Sequence, residues 1–224
     1  MLKAQLHIHV FGDPRDRIKY TPQELIERAT ELKYEVLAIT CHRKVIFSEE
    51  LRIFAEKKGI VLLSGIELRI EGKDVLAINI TKEIENTRSF GELRAYKKAH
   101  PKCLIIAPHP FFIFGSLMRK RLIKNIDLFD AIEHSFFYTK SLNFNKPAIK
   151  IAKKYDKPMV ATSDCHILKL LDLSYSMIDA KKNPESIINA IKNNRLEIYS
   201  KPLSIFKLIK SFLKMLITLK FFRN

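Results

Sequence analysis

Leu6-His7-Ile8-His9-Val10 is a short apolar stretch carrying two histidines one residue apart. In a strand, successive side chains point to opposite faces. His7 and His9 would then share one face, and Leu6, Ile8 and Val10 the other. Imidazole is the commonest metal-binding side chain, and two on one strand face can converge on a single ion. The competing reading is a pair of satisfied polar residues near a strand end. The rest of the chain decides between them.

Outward from this stretch, short apolar runs recur. With Ala4–Val10 they are Val36–Thr40, Ile60–Leu63, Leu104–Ala107, Asp130–Ile132, Met159–Thr162 and Tyr175–Ile178. Helical patterns separate them. Thr21-Pro22-Gln23-Glu24 reads as an N-cap, a proline at the first helical position and a capping-box glutamate, and Leu25, Ala29 and Leu32 follow as one apolar stripe. Further helices are predicted over Glu49–Lys58 (closed by Gly59), Phe90–Ala99, Leu117–Lys124, Pro147–Tyr155 and Pro184–Asn194. Leu68–Ile70 and Val75–Ile80 flank Glu71-Gly72-Lys73 and read as a side hairpin. Strands alternating with helices indicate a parallel sheet covered by helices, open or closed into a barrel.

Histidine or carboxylate follows strand after strand: His7 and His9, His42, Glu67, His109, Glu133 or His134, Asp164 and His166. The C-terminal strand ends are where barrel and open α/β folds build their sites. Of the seven histidines only His100 falls elsewhere, which moves the metal reading ahead of the bland one.

Composition sets the outer bounds. The chain has 224 residues, enough to bury a substantial core, and its 47% hydrophobic and 29% charged content is that of a folded protein. A net charge of +16 points to an anionic partner, or to a proteome rich in Lys and Ile. Cys41, Cys103 and Cys165 form no Cys-x-x-Cys pair and are odd in number, which argues for a reducing compartment rather than a disulfide framework. No run is long and apolar enough for an ordinary membrane span and no apolar leader is seen, so a cytoplasmic location is expected.

The motifs resemble those of the PHP family, named for polymerase and histidinol phosphatase. They are His7-Ile8-His9, Cys41-His42, Gly65-Ile66-Glu67, His109-Pro110 and Ser163-Asp164-Cys165-His166, in the family's order over about residues 4–180. The resemblance implies a distorted (β/α)7 barrel of TIM-like type and two or three divalent metal ions. His7, His9, Glu67 and Asp164 would hold one ion. Glu67 would bridge to a second, shared with His109. His42 and His166 would hold a third with an acidic residue of the first loop, Asp13 in preference to Asp16. Three departures stand out. Cys41 occupies the family's usual Asp, which would loosen His42 if that Asp orients it. The first-loop ligand is ambiguous. Asp74 stands where many relatives have a hairpin histidine, and it is read here as a turn residue.

Mixed imidazole and carboxylate donors suit Zn, Mn or Fe. Two such ions about 3.5–4 Å apart can hold a hydroxide between them and clamp a phosphoryl group. Arg43, directly after His42, is the candidate phosphate-binding arginine, ahead of Arg17, Lys19 and Lys44. His134 is a candidate acid for the leaving group, unless Glu133 points inward and His134 outward. The expected function is hydrolysis of a phosphomonoester, such as a nucleotide or a histidinol-phosphate-like molecule, by a metal-bridging hydroxide. The alternatives are a nuclease acting on DNA or RNA ends, favoured by the charge, and a non-catalytic binding module, hinted at by Cys41.

The division expected is a barrel over residues 1–200 and a basic amphipathic helix over 201–224. Lys201 to Asn224 contains six basic residues and no acidic one, and Lys207, Lys210 and Lys214 share a helix face. Such a helix fits an anionic membrane surface, packing on the barrel, or nucleic acid.

Overall fold

A computed structural model describes residues 1–112 and 119–218. The strands are β1 (Leu2–Gln5), β2 (Val36–Ile39), β3 (Val61–Ile70), β4 (Lys73–Ile78), β5 (Leu104–Ala107), β6 (Ala131–Ser135), β7 (Met159–Thr162), β8 (Ser174–Ile178) and β9 (Leu196–Ser200). The helices are α1 (Pro22–Glu31), α2 (Glu49–Lys57), α3 (Phe90–Ala99), α4 (Arg119–Lys124), α5 (Asn145–Lys154), α6 (Pro184–Lys192) and α7 (Ile205–Thr218). Residues 117–118, expected to begin the fourth helix, lie outside the described residues.

The strand order is β7-β6-β5-β4-β3-β2-β1-β8-β9. Six strands form parallel pairs in two runs, β1-β2-β3 and β5-β6-β7. β4 joins the runs antiparallel to both its neighbours. The expected side hairpin is therefore part of the barrel wall. Its turn explains why. Ile70 pairs with Lys73, and the two residues between, Glu71 and Gly72, have φ of 45° and 77°. Positive φ at both central positions matches strand twist and returns the chain directly alongside β3. Val75 to Ile78 are then buried on both faces.

The sheet curls almost shut. At the seam between β7 and β8, the Ser176 hydroxyl donates to the Ala161 carbonyl (3.1 Å) and accepts from the Ala161 N–H (3.0 Å). Near the upper end, Cys165 N–H donates to His7 O and His9 N–H to Cys165 O, both at 3.0 Å. Gln5 fills the seam: its amide nitrogen donates to Leu171 O and Ser174 O, and its amide oxygen accepts from Leu6 N–H and Ser163 N–H.

Three apolar clusters mark inside and outside. Ala4, Leu6, Val36, Ala38, Leu63, Leu76, Ile78, Ile106, Ala131 and Val160 form the barrel interior, floored by Ile187, Ile188 and Ile191 of α6. Two outer clusters lie between sheet and helices, one built on Val75, Ile105 and Ile132, the other on Ile8, Leu37 and Ile39. α1, α2, α3 and α6 start where expected, whereas α5 starts at Asn145, two residues before the expected Pro147. Thr21 and Glu24 form the capping box of α1, Ser48 caps α2, and Asn183 caps α6 with Pro184 behind it.

The opening stretch differs from expectation in one respect. Regular strand ends at Gln5. Leu6 lies in the barrel interior whereas Ile8 and Val10 lie in an outer cluster. Alternation therefore breaks between Leu6 and His7, where Leu6 N–H donates to the side chain of Gln5 rather than to a neighbouring strand. The break rotates His7 and His9 inward above the apolar plug.

After β9 the chain folds back. Leu203 N–H donates to Tyr138 O at 2.8 Å, and Leu203 and Leu208 are buried against Phe136 and Phe137. The C-terminal helix thus packs on the barrel by part of its surface. Among the described residues no helix is long and apolar enough to cross a membrane.

Candidate metal centre

Strand parity places each donor. Leu63 faces inward, so Gly65 and Glu67 do as well; Leu76 and Ile78 bring Asp74 in; Ala131 brings Glu133 in; Val160 brings Thr162 and Asp164 in. Gly65 is required by close approach. A Cβ there would sit 2.7 Å from Ile39 O and 2.8 Å from Thr40 Cγ2. His109 and Asp164 follow strand ends with φ of 26° and 41°, left-handed conformations that cost about 1–3 kcal/mol each and persist where surrounding structure over-determines them.

Glu67 is the hub. Its Oε2 lies 3.5 Å from His7 Nε2, 3.4 Å from His9 Nε2 and 3.0 Å from His42 Nε2, while Oε1 lies 3.5 Å from His109 Nε2. Asp164 Oδ1 is 3.2 Å and 3.3 Å from Nε2 of His7 and His9. Asp16 Oδ2 is 2.9 Å from His166 Nε2 and 3.5 Å from His42 Nδ1. His7, His9, Glu67 and Asp16 are all buried.

The donors fit a metal. Nε2 of His7, Nε2 of His9, Oδ1 of Asp16 and Oδ1 of Asp164 are buried and make no hydrogen bond among the described residues. Buried polar atoms are mostly satisfied in folded proteins, and these belong to residues that converge in two groups able to hold a cation, Asp164 with His7 and His9, and Asp16 with His9 and His42. Three groups of converging donors involve the expected ligands directly: His9, Asp13, Asp16 and His42; His7, His9 and Asp164; and Glu67, Asp74 and His109. In a fourth, Glu133 joins His7 and His109.

Electrostatics say the same. Burial opposes ionisation of Glu67, yet the charges of His42 and His7 hold its carboxyl well below the usual range. Asp164 is depressed likewise by His7 and His166 against its burial. Burial favours neutral imidazole, but Glu67 and Asp13 raise His42 to about 10, and Glu67, Glu133 and Asp164 raise His109 to about 9. Clustered carboxylates hold protons on the histidines where a cation would otherwise balance their charge.

Two carboxylates brace the histidines. Asp13 Oδ2 bonds His9 Nδ1 (2.9 Å), and the same oxygen accepts from the backbone N–H of His42 (2.9 Å) and lies 3.1 Å from its Nδ1. Asp13 Oδ1 accepts from Arg15 and Asp16 N–H. Both oxygens of Asp13 are engaged by its own loop, His9 and His42, whereas Asp16 keeps Oδ1 without a hydrogen bond among the described residues and faces His42 and His166 through Oδ2; both aspartates belong to the donor group with His9 and His42. Asp13 also does for His42 what the missing Asp at position 41 was expected to do. Cys41 instead is buried in an outer cluster, where its sulfur accepts from Val10 N–H at 3.3 Å and burial raises its thiol pKa.

Glu133 braces the other side. Its Oε1 takes His7 Nδ1 at 2.9 Å and the Thr162 hydroxyl, and its Oε2 accepts from His109 N–H. His134 faces the opposite way, as Ile132 does. Its ring stands edge-on to Tyr138 at 5.3 Å, and burial lowers its pKa. The expected leaving-group acid is thus turned away from the donor cluster. Asp74 also corrects expectation. It is a buried strand residue, paired with Arg69 at 2.6 Å and directed toward Glu67 and His109. Arg43 is exposed beside His42, its N–H donating to Glu67 O at 2.9 Å. Glu133 and Asp74 are candidate positions that the motifs do not single out. The signal for Asp74 was the two-residue turn Glu71-Gly72, which fixes its register.

A family model described as PHP-associated matches residues 143–196. A two-domain protein from Bacteroides vulgatus, described as containing a predicted PHP-like metal-dependent phosphoesterase, superposes with a TM-score of 0.70 at 20% identity, over 96% of this chain and 69% of that one. The chain shares the fold of this PHP-like protein. PsfC from Pseudomonas syringae also superposes on this chain with a TM-score of 0.70, at 12% identity, over 96% of this chain and 98% of its own. The lesion-specific endonuclease Q of Pyrococcus furiosus gives 0.61 at 14% identity, over 94% of this chain and 66% of its own. No curated protein matches.

Proposed function

We propose that this chain is a PHP-family metal-dependent hydrolase acting on phosphoric ester bonds, with a phosphomonoester as substrate. The observation that carries the reading is that the buried, unsatisfied Nε2 atoms of His7 and His9 and Oδ1 of Asp164 converge beside Glu67. His7, His9, Glu67 and Asp164 would hold one divalent ion. Glu67, His109 and Asp74 would hold a second. Asp16, His42 and His166 would hold a third. Zn, Mn and Fe suit these donors. Ions bound there supply Lewis acidity toward phosphoryl oxygens and lower the pKa of water. The protein's own contribution is positional. Asp13 and Glu133 fix tautomer and ring direction, so that Nε2 of both histidines in the opening pair points inward. Arg43, exposed next to His42, supplies a planar cation to the substrate phosphate.

A second reading is hydrolysis within nucleic acid. The net charge of +16 and the likeness to endonuclease Q favour it. One experiment separates the readings. The protein is loaded with Mn, Zn or Fe and assayed on a phosphomonoester panel beside labelled single-stranded DNA and RNA, with metal counted by plasma mass spectrometry and Asp164→Asn as control. Phosphomonoester turnover that falls with metal content in the variant is expected. Nucleic-acid cleavage alone establishes the nuclease reading. Metal-loaded protein inactive on every substrate, or protein with no transition-metal affinity, leaves a binding module.

A further inference from the structure

The helix α7 is anchored next to the donor cluster. Phe112, three residues past His109, stands with its ring 6.5 Å from that imidazole and edge-on to Phe137 at 5.0 Å. Phe137 packs with Leu203 and Leu208 of the C-terminal segment. Phe112 follows β5 and Phe137 follows β6, so this apolar chain of contacts runs along the end of the barrel that carries the ligands.

Among the described side chains, a narrow face of α7 is used for this anchoring. Leu208 and Ser211 are buried, whereas Ile205, Phe206, Ile209 and Leu213 are 50%, 81%, 49% and 54% exposed. At about 100° per residue those four lie within an arc of roughly 100°. Lys207 and Lys210 are exposed along one border of that arc. The surface therefore runs from packed, to apolar and bare, to cationic. A bare phenylalanine and three bare aliphatics on one helix face need a covering partner.

We propose that α7 docks the protein on an anionic bilayer surface, its apolar arc in the headgroup–acyl boundary and its lysines on lipid phosphates or carboxylates. Charge complementarity selects this occupant. Lys201 to Asn224 holds six basic residues and no acidic one. A second copy on the same face would bring the lysines of both copies together with nothing to neutralise them. Nucleic acid would satisfy the lysines but not Ile205, Ile209 and Leu213, which offer no ring for base stacking. The helix Ile205–Thr218 has 14 residues, about 21 Å at 1.5 Å per residue, so it lies on a bilayer rather than crossing one.

The test uses the full chain, sedimented with vesicles of phosphatidylcholine alone or of an equimolar phosphatidylcholine–phosphatidylserine mixture. Binding to the anionic vesicles only, weakened by salt, is expected. Phe206→Asp should reduce it about tenfold or more, and the double variant Lys207→Glu, Lys210→Glu should abolish the preference for phosphatidylserine. Circular dichroism and bound-metal content should match the parent, since neither change touches the buried face. Equal binding by parent and Phe206→Asp overturns the proposal. So does concentration-dependent dimerisation that Phe206→Asp removes, which makes a second copy the occupant. Binding of labelled DNA lost only in the lysine variant makes nucleic acid the occupant and equally overturns it.

Discussion

His7 and His9 stand one residue apart, face the same cluster, and are held in different ways. The ring of His9 is fixed by Asp13, four residues along in the same loop. The ring of His7 is fixed by Glu133, 126 residues away on β6. One half of the centre is thus assembled by a local turn, which also sets His42 through its backbone N–H. The other needs the barrel to close, because Glu133 joins β1 to β6, to Thr162 at the end of β7 and to the backbone of His109. The difference teaches where each half is vulnerable. The His9 half depends on a loop conformation, and the His7 half on the fold.

Glu67 is common to both halves and should give the largest effect. Glu67→Gln keeps the volume but removes the charge that faces His7, His9, His42 and His109. Metal content is expected to fall toward zero at every position, with hydrolysis lost, while far-ultraviolet circular dichroism is retained. If plasma mass spectrometry finds one ion still bound at full occupancy, Glu67 is not the bridge and the two halves bind independently.

The braces come next in size. Replacing an outer partner of a metal-bound histidine typically weakens metal affinity about 10–100-fold. Asp13→Asn should weaken the ion nearest Asp16 and His42 most, since Asp13 holds two of its neighbours. Glu133→Gln should weaken the ion shared by His7 and Asp164 and leave the other half unchanged. Titration of each variant with Mn, read by calorimetry, resolves the classes of site. Identical losses in both variants would mean that the centre behaves as one unit, and that the local and fold-wide halves are a distinction of geometry without energetic content.

How much of this was legible beforehand follows from the same contrast. Candidate donors in short motifs, His42, Glu67, His109, Asp164 and His166, can be picked out because an apolar run followed by a donor is a local pattern. The choice between Asp13 and Asp16 was not legible, since it turns on which oxygen Asp13 commits to its own loop. The choice between Glu133 and His134 depends on strand parity, and parity is set by which of Ala131 and Ile132 enters the barrel. Both are apolar, so the sequence gives no preference. The break after Leu6 was hidden for a similar reason: Leu6, Ile8 and Val10 read as one face, and only the seam filled by Gln5 separates them. The barrel itself was readable from apolar runs alternating with capped helices. The antiparallel β4 was not, because a hairpin at the wall and a hairpin at the side share one turn signature.

The smallest expected effect concerns protons. In the metal-free protein His42 is raised to about 10 and His109 to about 9, each above the ordinary histidine value near 6.5. A group raised on folding contributes stability that is full below its unfolded value and is lost as pH rises through the folded one. The depressed carboxylates Asp13, Glu67 and Asp164 contribute above ordinary carboxylate values and lose that contribution only in acid. Metal-free protein should therefore melt progressively lower between about pH 6.5 and 10. A bound cation replaces the histidine protons, so metal affinity rises with pH and the gap in melting temperature between Mn-loaded and chelator-treated protein should widen over the same range. Scanning fluorimetry across pH measures both curves. Asp13→Asn should flatten part of the decline toward pH 10, because Asp13, after Glu67, helps to hold the His42 proton. Glu133→Gln should flatten the part nearest pH 9, because Glu133 helps to hold that of His109. A gap that stays constant with pH in the parent would mean that the histidines bind metal without displacing protons. The charge balance argued for both halves would then be wrong.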